Sequence, residues 1–172
     1  DATHLHVGVF RERRVHLGHA REQLLLVGRE RVPGTNAVAF LQDSRLRRAL
    51  MLGINRPYIV NTFLQGQAVL ADGPVLPSSW AYHDGIEHFE YNPDEAINIL
   101  KAEGYVIPAE GGDVRGKEGT LLSFTMLHPD DEIHTRIAQT IRDEWAAIGV
   151  GVQLQAVPYD TLASDFLASR KY

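Results

Sequence analysis

The last third of the chain alternates strand and helix signals, and this alternation restricts the fold more than any other feature. Leu121 to Leu127 reads as a strand. Asp130, Asp131 and Glu132 follow, acids placed where the helix dipole favours negative charge. Ile133, Ile137, Ile141, Trp145 and Ile148 recur at helical spacing, and Gly149 ends the run. Val150 to Val157 alternates apolar and polar positions, which predicts a second strand. Asp160 starts a last helix through Leu162, Phe166 and Leu167 to Tyr172. A strand–helix–strand connection joins parallel neighbours and is right-handed. The expected class is α/β, a mixed sheet flanked by helices.

Upstream, Arg45 to Pro74 reads as two short helices in tandem. Leu46, Ala49, Leu50, Gly53 and Ile54 form one apolar stripe. Asn55 interrupts it and can cap a second helix, and Pro57 suits a first turn, where its missing N–H does little harm. Ile59, Val60, Phe63 and Leu64 form the second stripe, and Gly66 ends it. Gly66 to Asn92 is long and irregular, and loops of that length in a compact domain usually serve a function. Asn92-Pro93-Asp94-Glu95 is a helix start with Ala96, Ile97 and Leu100 behind it and Gly104 as the stop. Residues 108–119 read as a polar surface loop. At the front, residues 1–10 alternate like a strand, Pro33-Gly34 marks a turn, and Ala37 to Leu41 suits a buried strand.

A chain of 172 residues makes one domain, or one lobe of something larger, with a real core. It opens at Asp1 rather than Met, which leads us to expect a processed or cut chain. It stops directly after a helix, where a third parallel strand is the natural next element, so we expect it to lie inside a larger protein. There is no run of about 18 apolar residues of the kind a membrane helix needs. Zero cysteines exclude a disulfide framework and thiolate chemistry. The net charge of −5 is uneven: residues 1–48 hold nine Arg against five acids, whereas 72–144 hold fifteen acids against five bases. The basic segment contains two aromatics, Phe10 and Phe40, neither set among its Arg clusters, and so lacks the interleaving that a nucleic-acid surface requires. We expect no nucleic-acid partner.

Motifs for chemistry are weak. Gly111 to Glu118 (GGDVRGKE) approaches a phosphate-binding loop, but Glu118 replaces the magnesium-binding hydroxyl and a strand follows where a helix should. A solvated hairpin or connector is the better reading. Among the eight His, His4 and His6 share a strand face and His16 and His19 a helix turn, but no spacing gathers three zinc ligands. His83, His88, His128 and His134 have no partnered spacing. Ser78, Ser79, Ser123, Ser164 and Ser169 lack a nucleophile context. We expect no catalytic residue, no metal and no cofactor. Trp145 belongs to the core. Trp80 and Tyr82 either plug the long loop onto the domain or line a ligand cleft as flat, rigid surfaces, and His83 lies in the same loop.

The order of these blocks resembles the family 5 extracellular solute-binding proteins, the peptide, dipeptide and nickel receptors of ABC importers. The resemblance rests on Arg47-Arg48-Ala49-Leu50, Ile54-Asn55-Arg56, Gly66, and Gly73-Pro74 through Trp80-Ala81-Tyr82. Tyr91-Asn92-Pro93, Ala96, Leu100, Gly104-Tyr105, residues 122–127, the helix ending at Trp145-Ala-Ala-Ile-Gly149 and residues 152–170 continue it. Asn55 stands where the family usually has Asp, and residues 1–36 match poorly. The resemblance covers residues 37–172 and implies one lobe of a periplasmic-binding-protein-like type II fold, part of the C-terminal lobe. It implies a non-enzymatic role: capture of an oligopeptide or similar small solute in concert with the N-terminal lobe, then delivery to ABC permease subunits. It also implies a periplasmic or extracellular location, with a lipid anchor as one way of tethering the full-length protein. Trp80, Tyr82 and His83 are then the expected cleft edge. The rival readings are a sensor lobe borrowed by a transcription regulator and a His-based metal-dependent enzyme.

Overall fold

The computed structural model describes residues 40–168, and the expectations for residues 1–36, including His4, His6, His16 and His19, lie outside them. The described residues form two compact units, one of residues 56–89 and the other of residues 40–55 with 90–168.

The larger unit opens with a turn at Phe40 followed by α1 (Ser44–Leu52). The expected strand over Ala37–Leu41 is not what forms at its described end. Phe40 accepts a hydrogen bond from the Asp43 N–H at 3.1 Å, and Arg47 binds the carbonyls of Leu41 and Gln42 at 2.9 and 2.8 Å. With those carbonyls occupied, the chain turns directly into a helix that the Asp43 side chain caps. Leu46, Ala49 and Leu50 are buried along α1, as their spacing requires, and so are Gly53 and Ile54 beyond its end. The next helix of this unit, α2 (Pro93–Ala102), starts as expected. Asn92 accepts from the Glu95 N–H at 3.0 Å and donates to the Glu95 carboxylate at 3.3 Å, a reciprocal cap. The Asn92 N–H also donates to the Leu52 carbonyl at 2.9 Å, which joins the start of α2 to the end of α1. Ala96 and Leu100 are completely buried.

The 111–118 segment belongs to a hairpin, β1 (Gly116–Lys117) with β2 (Thr120–Leu121). Glu118 and Gly119 turn it with φ of +53° and +76°, the pair of positive values that a tight hairpin turn needs. Glu118 therefore occupies a turn, and no phosphate-binding loop exists there. Strand β3 (Ser123–Pro129) pairs in parallel with β4 (Gly151–Val157), Ser123 opposite Gly151 through to Pro129 opposite Val157. The connecting helix α3 (Glu132–Ala147) packs on both strands. Parallel and antiparallel pairing thus both occur, in two separate two-stranded sheets among the described residues, and the class is α/β as expected.

Along α3 the buried row is Ala138, Ile141, Trp145 and then Ile148, whereas Ile133 is half exposed despite belonging to the expected stripe. The reason is angular. Steps of four residues advance about 40° past a full turn, so Ile133 lies about 80° around the helix from Ile141. The last expected helix, Asp160–Tyr172, is also different. One α-turn (Tyr159–Thr161) passes into wider, π-type turns over Leu162–Ala168. Leu162 is the one buried residue of that segment, so little packing holds it to the tighter pitch.

Arg115 is buried although its segment reads as a surface loop. Its Nε donates to the Ile148 carbonyl at 2.8 Å, at the end of α3, where a cation complements the helix dipole. Gly149 passes over it with φ of +85°, and a Cβ there would stand 2.7 Å from Arg115 Cγ. Glu144, on α3, accepts the Asn55 N–H at 2.9 Å. Burial raises its carboxyl above the usual value, and that bond offsets only part of the effect.

Gly149→Ala should combine a left-handed backbone penalty with a clash and cost about 2–4 kcal/mol. Gly119→Ala, with nothing within 4 Å of its added Cβ, should cost only the backbone part, about 1–2 kcal/mol. Urea midpoints of the two variants check this, and equal losses would mean that Arg115 yields freely.

Candidate functional site

The smaller unit carries the long loop in which the sequence places its site residues. A short helix over Arg56–Phe63 leads into that loop. It ends where the Gly66 N–H donates to the Val60 carbonyl at 3.0 Å. From there to Asn92 the backbone has neither helix nor strand. Arg56 holds the two ends of this loop. Its Nη1 lies 2.7 Å from Asp72 Oδ1 and 3.4 Å from the Ala71 carbonyl, and its Nη2 donates to the Phe89 carbonyl. The second Asp72 oxygen meets His88 Nδ1 at 2.8 Å. Burial alone would raise the Asp72 carboxyl, but the contacts with His88 and Arg56 outweigh it and hold the group below the usual carboxylate range.

The tip of the loop is a series of turns. The Ser79 N–H donates to the Leu76 carbonyl at 2.9 Å, and the Tyr82 N–H to the Ser79 carbonyl at 3.1 Å. Trp80 is 97% exposed and therefore does not plug the loop onto the domain. Tyr82 is half-buried and His83 exposed. His83 Nδ1 accepts the Gly85 N–H at 2.9 Å, which sets the ring's orientation and leaves Nε2 as its outward polar atom. The turns thus bring Trp80, Tyr82 and His83 close together along one loop tip.

A second candidate region lies in the larger unit, at the carboxyl ends of β3 and β4. Open α/β sheets bind ligands beyond the carboxyl ends of their parallel strands. Here His128, buried, sits one residue before the end of β3 with Nδ1 2.7 Å from the Pro129 carbonyl. Asp131 caps α3 through the His134 N–H at 3.0 Å, and its other oxygen lies 2.6 Å from His134 Nδ1. Burial would raise the Asp131 carboxyl, but its bonds from His134 hold it below the usual range. Tyr159 follows β4 and is exposed, as is Ile133. His128 and His134 stand out by no motif spacing, and only the end of β3 and the cap of α3 mark their places. Among the described residues no group of three His, Asp or Glu comes together that could hold a metal ion.

These features can be set beside known proteins. Residues 31–172 match the family model described as bacterial extracellular solute-binding proteins, family 5 Middle. The dipeptide-binding protein of Escherichia coli K12 is 30% identical over 120 residues, which is 70% of this chain and 21% of that protein. The oligopeptide-binding protein AppA of Bacillus subtilis is 30% identical over 124 residues, 70% of this chain and 23% of that protein. The structure of AppA in complex with a nonapeptide superposes with a TM-score of 0.64 over 71% of this chain and 25% of that one. NikZ of Campylobacter jejuni in complex with Ni(L-His) gives 0.64 at 28% identity, over 70% of this chain and 24% of that one. The class is therefore that of the solute-binding proteins, with a type II periplasmic-binding-protein-like fold. The chain belongs to family 5 of the bacterial extracellular solute-binding proteins and spans about a fifth to a quarter of the length of these relatives. This is a family of binders and not of enzymes, and its members are extracellular.

Asp131 is a stability group with a defined pH signature. Its folded-state pKa lies below the unfolded one, so the ionised carboxylate stabilises the fold above the ordinary Asp range, and that contribution is lost as pH falls through the lowered folded value. Asp131→Ala should lower stability near neutral pH by about 1 kcal/mol, the usual worth of a helix cap. It should also flatten the acid limb of the thermal-midpoint curve below about pH 4. An acid limb identical to wild type would remove Asp131 from this role.

Proposed function

We propose that the intact protein is the solute-binding component of an ABC importer, and that it captures a peptide between lobes and delivers it to membrane permease subunits. The observation that carries this reading is the match of residues 31–172 to family 5, with relatives named for binding dipeptides and oligopeptides. Closure of one lobe on another around the solute is the physical step, driven by contacts made only in the closed state. In this reading the 66–92 loop supplies a cleft edge. Trp80 and Tyr82 offer flat surfaces that contact a peptide backbone and apolar side chains at low conformational cost, and His83 Nε2 offers one polar contact. The location is the periplasm or cell exterior, with a lipid anchor as one means of retention.

Isothermal titration of the intact protein with di- to pentapeptides and with nickel–histidine tests the substrate class. Peptide binding is expected, and binding of the nickel complex alone would overturn the peptide assignment. Trp80→Ala should weaken peptide affinity roughly ten-fold or more, as truncating an aromatic anchor does. Unchanged affinity in both Trp80→Ala and Tyr82→Ala would remove the loop tip from the cleft.

A further inference from the structure

The 66–92 loop has no regular structure of its own, so its shape depends on how its ends are joined. Among the described residues, the contacts that join them include four centred on Arg56 and Asp72. Arg56 binds the Ala71 carbonyl, the Asp72 carboxylate and the Phe89 carbonyl, and Asp72 binds His88. Residues 71–72 and 88–89 are thereby held together, and the segment from Gly73 to Glu87 is a closed loop of the Ω type. The contacts at its tip are short-range turn bonds, too few to keep a loop of this length ordered once the stems part.

The three side chains of the tie differ in a useful way. A guanidinium keeps its charge across the biological pH range. The Asp72 carboxylate, with 13% of its side chain exposed, is faced by Arg56 from the Arg56–Phe63 helix and by His88 from the returning stem; these are the charged groups that act on it among the described residues. The His88 side chain is 53% exposed, so solvent protons reach the imidazole directly. A neutral imidazole donating from Nδ1 makes one ordinary hydrogen bond to Asp72. An imidazolium at the same 2.8 Å makes a charge-assisted one, which is stronger.

We propose that Arg56, Asp72 and His88 form a proton-tuned latch on the 73–87 loop: protonation of His88 tightens the closed stems, and protonation of Asp72 opens them. Arg56 is the constant member, and His88 is the adjustable one. Because the imidazole is half exposed, the tightening is screened and amounts to a roughly two- to five-fold change in loop opening. The latch concerns loop closure alone and stands whether or not the loop contacts a solute.

Hydrogen–deuterium exchange of the intact protein without ligand tests it, from about pH 5 to pH 8, with rates corrected for intrinsic exchange. Peptides covering 73–87 are compared with peptides from α3. In wild type, protection of 73–87 should rise about two- to five-fold as pH falls across that range. His88→Ala, which also loses the neutral hydrogen bond, should hold loop protection at or below the wild-type high-pH level throughout, with no rise. Asp72→Asn should reduce loop protection at every pH and remove the rise, with α3 unchanged. The latch is overturned if wild type shows no rise, or if His88→Ala shows the same rise. Where Asp72→Asn also loosens α3, His88→Ala carries the decision alone.

Discussion

The indole of Trp145 is the contact on which the larger unit depends. Its N–H donates to the Leu50 carbonyl at 2.9 Å, near the end of α1, where helical carbonyls run out of intrahelical partners. Its ring meets Phe124 of β3 at 5.5 Å between centroids, nearly edge-on, and Phe124 in turn meets Phe40 at 6.0 Å. One side chain therefore ties α3, β3 and α1 together while remaining buried. Burying an indole without a partner for its N–H costs free energy, and the carbonyl of Leu50 removes that cost on both sides. One turn further on, Ile148 packs where Gly53 leaves room, with its Cδ1 only 2.7 Å from where a Cβ would be. The absent side chain lets the end of α1 approach the end of α3.

The elements most legible in the sequence are those set by local rules. The Asn92 cap, the acidic start of α3 and the two seven-residue strands all follow from caps, dipole and alternation, and all form close to where they are expected. Elements that depend on distant partners are less legible. Ala37–Leu41 has the composition of a strand, but Arg47 claims the carbonyls of Leu41 and Gln42. Arg115 sits in a Gly-rich polar stretch, and its burial depends on a helix end 33 residues away. Ile133 fits a stripe by counting fours, but the buried row follows alternating steps of three and four.

The candidate site divides in the same way. That Gly66–Asn92 is irregular is readable from its Pro, Gly and Ser content, whereas whether its aromatics pack or face outward is not. That Arg56 holds the loop closed is not. Within the tandem-helix pattern Arg56 looks like an ordinary polar residue of a first turn, and Asp72 and His88 are 16 and 32 residues further along. Nothing in their spacing joins them, since the connection passes through three-dimensional folding of an irregular segment. The carboxyl ends of β3 and β4 are an intermediate case: the strands are legible, and the strand-end rule then points to His128, His134 and Tyr159 without any motif.

Under the proposed function, in which the intact protein closes on a solute and later releases it, an exposed aromatic at the tip of a loop with fixed stems is a sensible arrangement. If packing held the tip in place, Trp80 would be buried and unable to meet a partner. If nothing held the stems, each binding event would have to order more than a dozen residues, at an entropic cost that weakens affinity. Fixing the stems with charge, while the tip is held by turn bonds, confines the loop's freedom to its tip. Of the possible ties, an ion pair with a half-exposed imidazole is adjustable, whereas apolar stem packing is not. The same Arg56 that begins a helix therefore limits the loop's freedom, and the chemistry of its partners decides how firmly.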